Sequence, residues 1–345
     1  MKTHLGFFTA FMVAAWVTPW CVAQNTGDPL PSAPKGFYLL NDRQTAVESM
    51  TLPGFLSGFT LRLAWSDVET AQGVYNFDLI KRTVTHLQGK NLKLTLEIFT
   101  SMPPAYVLQG AQSTFLGPKG RAPTPWDAFA QARWQAMLTA LAATPVRDSV
   151  VGADVRLADH PTLTAVDASV IGLQMIRDVK GDLVRHGEYG RAKFIDAVVQ
   201  NISVSRQAFP KDYGFVGFFR IQDADRSVPL DEELYTRLQA EFMGSGQPGL
   251  GLFQELWSDE GPVADGLGYY LTRQSGANAV MLQALTSWKK PFQDPAKVAS
   301  GNPDGALDKS YVDYGCMYYE IYYADVVATD LRPVFEEWAA FFAGQ

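Results

Sequence analysis

The sequence predicts an α/β protein folded as a single (β/α)8 barrel. Three observations lead there. Eight short apolar segments recur along the chain, helix-like segments separate most of them, and no glycine-rich phosphate loop follows the first strand. The missing loop argues against an open dinucleotide-binding sheet.

The predicted strands are Gly36–Leu40, Thr60–Trp65, Lys93–Phe99, Thr164–Ile171, Gly214–Ile221, Gly251–Leu256, Ala279–Leu285 and Cys316–Tyr322. Each is rich in Val, Ile, Leu, Phe or Tyr, and Gly, Pro or Asp bounds it. The predicted helices are Phe77–Gln88, Trp126–Ala143, Arg191–Ala208, Asp231–Phe242, Pro262–Ser275 and Leu331–Phe342. Thr124, Pro125 and Asp127 form a helix start, with proline in the first turn and an acid at the positive end of the helix. The connection Pro291–Asp313 is long and polar, and is expected to be a loop over the cleft. The densest information lies in Phe59–Val107, where strand, turn, amphipathic helix and second strand make one β-α-β unit. Polar and aromatic groups at such strand ends are where barrels place their chemistry.

Composition narrows the function. The chain has 345 residues and a net charge of -7 with no basic run, which disfavours nucleic acid and anionic membrane as partners. It carries 8 Trp, 14 Tyr and 21 Phe. Core packing accounts for most of these, but some rings would suit the C–H face of a sugar. At the start, Lys2 precedes the apolar run Leu5 to Trp20, and Cys21-Val22-Ala23 follows, the pattern of a secretory signal peptide. The expected organisation is a signal at 1–23, a Pro/Gly/Ser-rich linker at 24–35 and a barrel over 36–345, in a periplasmic or extracellular protein. Lipid anchoring at Cys21 is disfavoured, because Pro19 and Trp20 are not the small residues expected before a lipidated cysteine. With the signal removed, Cys316 is the only cysteine, so neither an intrachain disulfide nor a cysteine metal site is expected. No second segment is apolar enough to span a bilayer.

LRLAWSDVETAQGVYNFDLI, with Arg62, Trp65, Asp67 and Glu69, resembles the second β/α unit of the large retaining (β/α)8 clan of glycoside hydrolases, its β-galactosidase-like branch in particular. Met102-Pro103-Pro104-Ala105-Tyr106, Pro125-Trp126-Asp127 with Trp134, and YYEIYYADV at Tyr318–Val326 resemble the same branch. The resemblance implies a β-linked glycan or galactoside as substrate and paired carboxyl groups as the machinery. The clan's Asn-Glu pair on strand 4 and its nucleophilic Glu on strand 7 are not matched. Here those strands read LTAVDASVIG and AVMLQALTSW, and Gln283 stands where a carboxylate would be wanted.

Hydrolysis of a glycoside needs two carboxyl groups, about 5–5.5 Å apart for retention or about 6.5–9.5 Å apart for inversion. One must hold its proton and the other must be ionised. The candidates are Glu320, which shares a strand face with Tyr318 and Tyr322, and Glu255 at the end of strand 6. Asp167 and Asp178 are the possible substitutes for the missing strand-4 acid. For three of them there is a plainer reading: a structural acid tied to Arg62 or a backbone amide for Glu320, a strand-end salt bridge for Glu255, an ion pair with Arg177 or Lys180 for Asp178. Arg62 resembles the clan's arginine that orients the nucleophile, and a buried arginine requires a carboxylate. Glu97 is its expected internal partner or a substrate contact. Gln254 and Glu255 point to opposite faces of a regular strand, so one of them faces the cleft unless strand 6 ends before Glu255, in which case both can. Trp65, Tyr106, Trp257 and Trp288 are candidate stacking surfaces. Asp67, Gln254, Gln283 and Tyr322 complete the substrate-contact set.

Other chemistries are disfavoured. The four histidines form no metal-type pair, no Gly-x-Ser-x-Gly elbow is present, and no Asp-x-Asp loop offers a cation site. No metal or cofactor is called for. The expectation is a secreted glycoside hydrolase-like protein, monomeric or weakly dimeric, with a carbohydrate partner. The alternatives are a glycan-binding barrel without turnover and a scaffold that binds another envelope protein.

Overall fold

The computed structural model describes residues 31–41, 46–117, 119–177, 179, 181–224, 229–243, 249–258, 270–271, 279–290 and 302–345. Eight parallel strands close into a barrel: β1 (Gly36–Asn41), β2 (Leu56–Ala64), β3 (Lys93–Phe99), β4 (Leu163–Asp167), β5 (Tyr213–Gly217), β6 (Leu250–Trp257), β7 (Val280–Ala284) and β8 (Tyr318–Tyr322). β1 pairs with both β2 and β8, which seals the ring. Every barrel pair is parallel, so all the strand C-termini open onto one mouth.

The outer layer contains α1 (Asp78–Gln88), α2 (Ala128–Ala142), α3 (Arg191–Ala208), α4 (Leu230–Phe242), α5 (Pro303–Tyr314) and α6 (Arg332–Ala343). The predicted helix Pro262–Ser275 lies outside the described residues apart from Tyr270 and Leu271, which are helical and buried. The start predicted at Thr124–Asp127 is built around one carboxylate. Asp127 caps α2 by accepting from Ala130 N at 2.9 Å, and it also accepts from Gln112 N and Ser113 N at 2.8 and 3.0 Å. Three short hairpins, Glu69–Tyr75, Thr114–Pro123 and Pro145–Arg156, decorate the connections.

The expectation of a loop across Pro291–Asp313 is corrected in its second half. α5 occupies Pro303–Tyr314, started by Asn302 accepting from Asp304 N at 3.0 Å and stopped by Gly315 at φ 63°. The N-cap, the proline at N1 and the αL glycine are the ordinary start and stop of a helix; the polar interior hid them. β4 also ends earlier than expected, at Asp167 rather than Ile171. Hydroxyl groups take over the carbonyls there: Thr100 Oγ1 donates to Val170 O and Leu173 O at 2.6 and 3.0 Å, and Ser169 Oγ donates to Ile98 O at 2.7 Å.

Alternation along the strands divides the core in two. Leu61, Leu63, Leu94, Leu96, Leu252, Leu282 and Ile321 face the helices, while Tyr38, Ala165, Phe215, Phe253, Met281 and Tyr318 fill the barrel interior. β2 carries Gly58 because a side chain there would meet the Tyr38 ring, with an added Cβ only 2.3 Å from it. Met175 and Phe219, from the connections after β4 and β5, join the interior cluster, so apolar groups reach from the loops into the barrel.

Candidate functional site

Above the apolar interior, the same inward parity places polar residues at the mouth: Thr60 and Arg62 on β2, Thr95 and Glu97 on β3, Asp167 on β4, Glu255 on β6, Gln283 on β7 and Glu320 on β8. Arg62 is the hub. Its Nη2 donates to Glu320 Oε2 at 3.0 Å and to Glu97 Oε1 at 3.3 Å. Its Nε lies 2.6 Å from Glu97 Oε2, a charge contact without the alignment of a hydrogen bond. The guanidinium also lies 5.7 and 5.9 Å from the Phe99 and Phe253 ring centres. Burial works against the charge, yet Glu97, Glu320 and Glu255 together hold the Arg62 pKa above its ordinary value.

Glu320 is fully buried and its carboxylate is saturated. Oε1 accepts from Thr60 Oγ1 at 2.9 Å and from Tyr318 OH at 2.7 Å, while Oε2 accepts from Arg62. Among the described residues Glu97 has Arg62 but no comparable hydroxyl donor, and it faces both Glu320 and Asp167. Burial first, and then these two neighbours, drive its pKa well above the usual carboxylate range despite Arg62. The bonding partners differ accordingly: Glu320 has Thr60 and Tyr318 as donors besides Arg62, while Glu97 shares that one cation.

Asp167 ends β4 at 8 % exposure. Burial raises its pKa to about 7, against the opposing pull of the Ser169 hydroxyl and Arg62, and Glu320 adds to the rise. Ser169 Oγ makes a very short hydrogen bond to Asp167 Oδ2. Asp178, the other expected strand-4 substitute, lies outside the described residues; its neighbour Arg177 reaches the mouth. Arg177 Nη1 bonds Glu255 Oε2 at 2.5 Å and its guanidinium lies 5.3 Å from the Phe219 ring centre. The Glu255 side chain is 13 % exposed, the most open of these carboxyl groups, so it occupies the strand-end salt bridge while still reaching the cleft. Gln254, on the opposite face, is fully buried and donates to Phe218 O at 2.9 Å, which removes it from the mouth.

On β7, Gln283 sits beside Glu320 in the ladder. Its Nε2 donates to Tyr322 OH at 3.1 Å and toward Ala284 O at 3.4 Å. Tyr322 is half-buried at the end of β8.

Several expected contacts are structural instead. Trp65 is fully buried against Trp134, with ring centres 5.1 Å apart, and Nε1 donates to Glu69 at 3.0 Å. Trp257 packs outward against Tyr319 and Trp288 and donates to Ala306 O at 2.9 Å. Both rings are fully enclosed, Trp65 in the helical turn after β2 and Trp257 at the end of β6. Trp288 is half-buried against the Trp257 ring, 5.3 Å away. Asp67 caps a helical turn through Ala64 N at 2.9 Å. Tyr106 accepts from Arg133 at 3.2 Å, in a network where buried Glu69 also takes Arg133 at 2.6 Å and Gly73 N at 3.0 Å. Burial, and then its bond to Glu69, pushes Tyr106 up to about 12. The sequence reading did not assign roles to Thr60, Ser169 or Arg133. Thr60 was legible from period two with Arg62; Ser169 and Arg133 act through loop and helix geometry that no local pattern carries.

Eight parallel strands closed into a ring, with helices between them, make a (β/α)8 barrel, and solved structures of several enzymes share this fold. The chain is similar to the cold-adapted β-galactosidase from Rahnella sp. R3 (13% identity, TM-score 0.56, covering 92% of this chain and 57% of that one). It is similar to the β-galactosidase from Bacillus circulans sp. alkalophilus (10%, 0.56, 90% and 56%) and to the endo-1,4-β-mannanase from Rhizomucor miehei (11%, 0.54, 92% and 96%). It thus spans just over half of either β-galactosidase and nearly all of the mannanase. At these identities the likeness is one of fold. No family model and no curated protein matches the sequence. Among the described residues no helix is long and apolar enough to cross a membrane, and no group of acids, histidines or cysteines could hold a metal ion.

Proposed function

We propose that this barrel hydrolyses β-linked glycans at its C-terminal mouth, using an atypical carboxyl set. The observation that carries the reading is Asp167, an acid at the end of β4 whose burial raises its pKa to about 7, so that it can hold a proton near neutral pH. In the reaction, Asp167 donates that proton to the glycosidic oxygen as the C–O bond breaks. Glu255, the most open carboxyl group, supplies negative charge to the sugar, as nucleophile in a retaining reaction or as base toward water in an inverting one. Glu320 and Glu97 act from beneath by fixing Arg62, whose charge sets the field at the mouth.

A purified sample tested on aryl β-glycosides and β-linked polysaccharides should show turnover that falls at least ~100-fold in both Asp167→Asn and Glu255→Gln, the scale of general acid–base catalysis. Unchanged turnover in both variants would remove the assignment. A second reading is favoured by one observation, the complete burial of Glu320: a barrel that binds glycans without cleaving them. Binding without turnover on the same panel would select it. Secretion by the N-terminal segment belongs to this proposal too; a processed N-terminus in exported protein would support it, and retention of residues 1–23 would oppose it.

A further inference from the structure

Gln283 is nine-tenths or more buried, yet its Oε1 has no hydrogen-bond partner. A buried acceptor left unpaired destabilises the fold, so its retention needs a reason. The amide cannot simply be turned over to relieve it. Nε2 faces the Ala284 carbonyl at 3.4 Å and Tyr322 OH at 3.1 Å, and a carbonyl requires the donor end. The oxygen is therefore held as the free end. Gln283 shares its inward parity with Met281, which lies in the barrel interior, and its ladder neighbour is Glu320. The free acceptor thus sits within the carboxyl-lined mouth.

We infer that Gln283 Oε1 accepts a hydroxyl of the ligand, and that the mouth takes neutral β-linked glycans and rejects uronic acids. The inference rests on the glycan-acting reading above and specifies its substrate class. The surrounding charge supports the selection. Glu97, Asp167, Glu255 and Glu320 contribute four carboxyl groups, while Arg62 is held by Glu97 and Glu320 and Arg177 by Glu255. A neutral sugar brings O–H donors to an acceptor-rich site; a uronate brings a further carboxylate to a mouth where both guanidinium groups already hold carboxyl groups.

The test measures binding calorimetrically, separately from turnover, for neutral β-linked oligosaccharides and matched uronic-acid oligosaccharides. The wild type should bind only the neutral series. Gln283→Met, which keeps the volume and removes the acceptor, should weaken that binding about tenfold, the loss of one hydrogen bond. Its melting temperature should stay level, because deleting the unpaired oxygen offsets the loss of the Nε2 bonds to Ala284 O and Tyr322 OH. A lower melting temperature with unchanged affinity would show Gln283 to be structural and overturn the inference. So would equal binding of uronates, or no binding of either series. Neutral-glycan binding without turnover would sink hydrolysis alone, and cleavage of uronates would sink the selectivity alone.

Discussion

Asp167 and Arg62 show how single residues set the chemistry of this mouth. The Asp167 carboxyl rises to about 7 from an unfolded value near ~4. Between those values the folded state binds more protons than the unfolded state, so its stability falls as pH rises from about 4 to 7. Asp167→Asn should therefore be more stable than the wild type at pH 8, on the order of 2 kcal/mol by urea denaturation, with the gain shrinking toward pH 4. If Asp167 donates the proton, activity should hold below pH 7 and decline above it. Arg62 carries the opposite expectation. Removing it in Arg62→Met leaves buried Glu97 and Glu320 without their cation, a loss of ~3–5 kcal/mol at neutral pH. Equal stability of Arg62→Met and wild type would mean that Arg62 does not organise the site. The sequence made Arg62, Glu97 and Glu320 legible because strand alternation puts them on the inner face. It did not disclose that Glu320 is enclosed, since Thr60 reaches it from a strand far away in the chain.

At the level of elements, the strands were legible and their ends were not. Lys93–Phe99 matches its expected bounds because Leu94, Leu96 and Ile98 alternate with the inward residues Thr95, Glu97 and Phe99, between Lys93 and Thr100. β4 shortened because Thr100 and Ser169 side chains compete for backbone carbonyls, a tertiary effect. The aromatic strand ends went the same way. A tryptophan at a barrel rim faces either the ligand or the helices, and local pattern cannot choose between them. Trp257 illustrates the outcome, its ring between Tyr319 and Trp288 and its Nε1 on Ala306 O. Trp257→Ala should cost ~3–5 kcal/mol, while Trp257→Phe should keep glycan affinity and lose part of that stability. A large affinity loss in a well-folded Trp257→Phe protein would return this ring to the binding surface.

The whole molecule combines a common frame with an uncommon site. Closure of eight parallel strands follows from pattern and connection rules, so it survives at 10–13% identity to the β-galactosidases and the mannanase. The site tolerates no such averaging, because exchanging one carboxyl group for an amide changes what the mouth can do. The most direct test of the account is a comparison of wild type and Asp167→Asn for hydrolysis and binding of neutral β-linked glycans across pH 5 to 9. The account predicts wild-type turnover that declines above pH 7, and an Asp167→Asn protein that binds these glycans but cleaves them at least ~100-fold more slowly. Full turnover in Asp167→Asn, or a wild type that neither binds nor cleaves any of them, would contradict it.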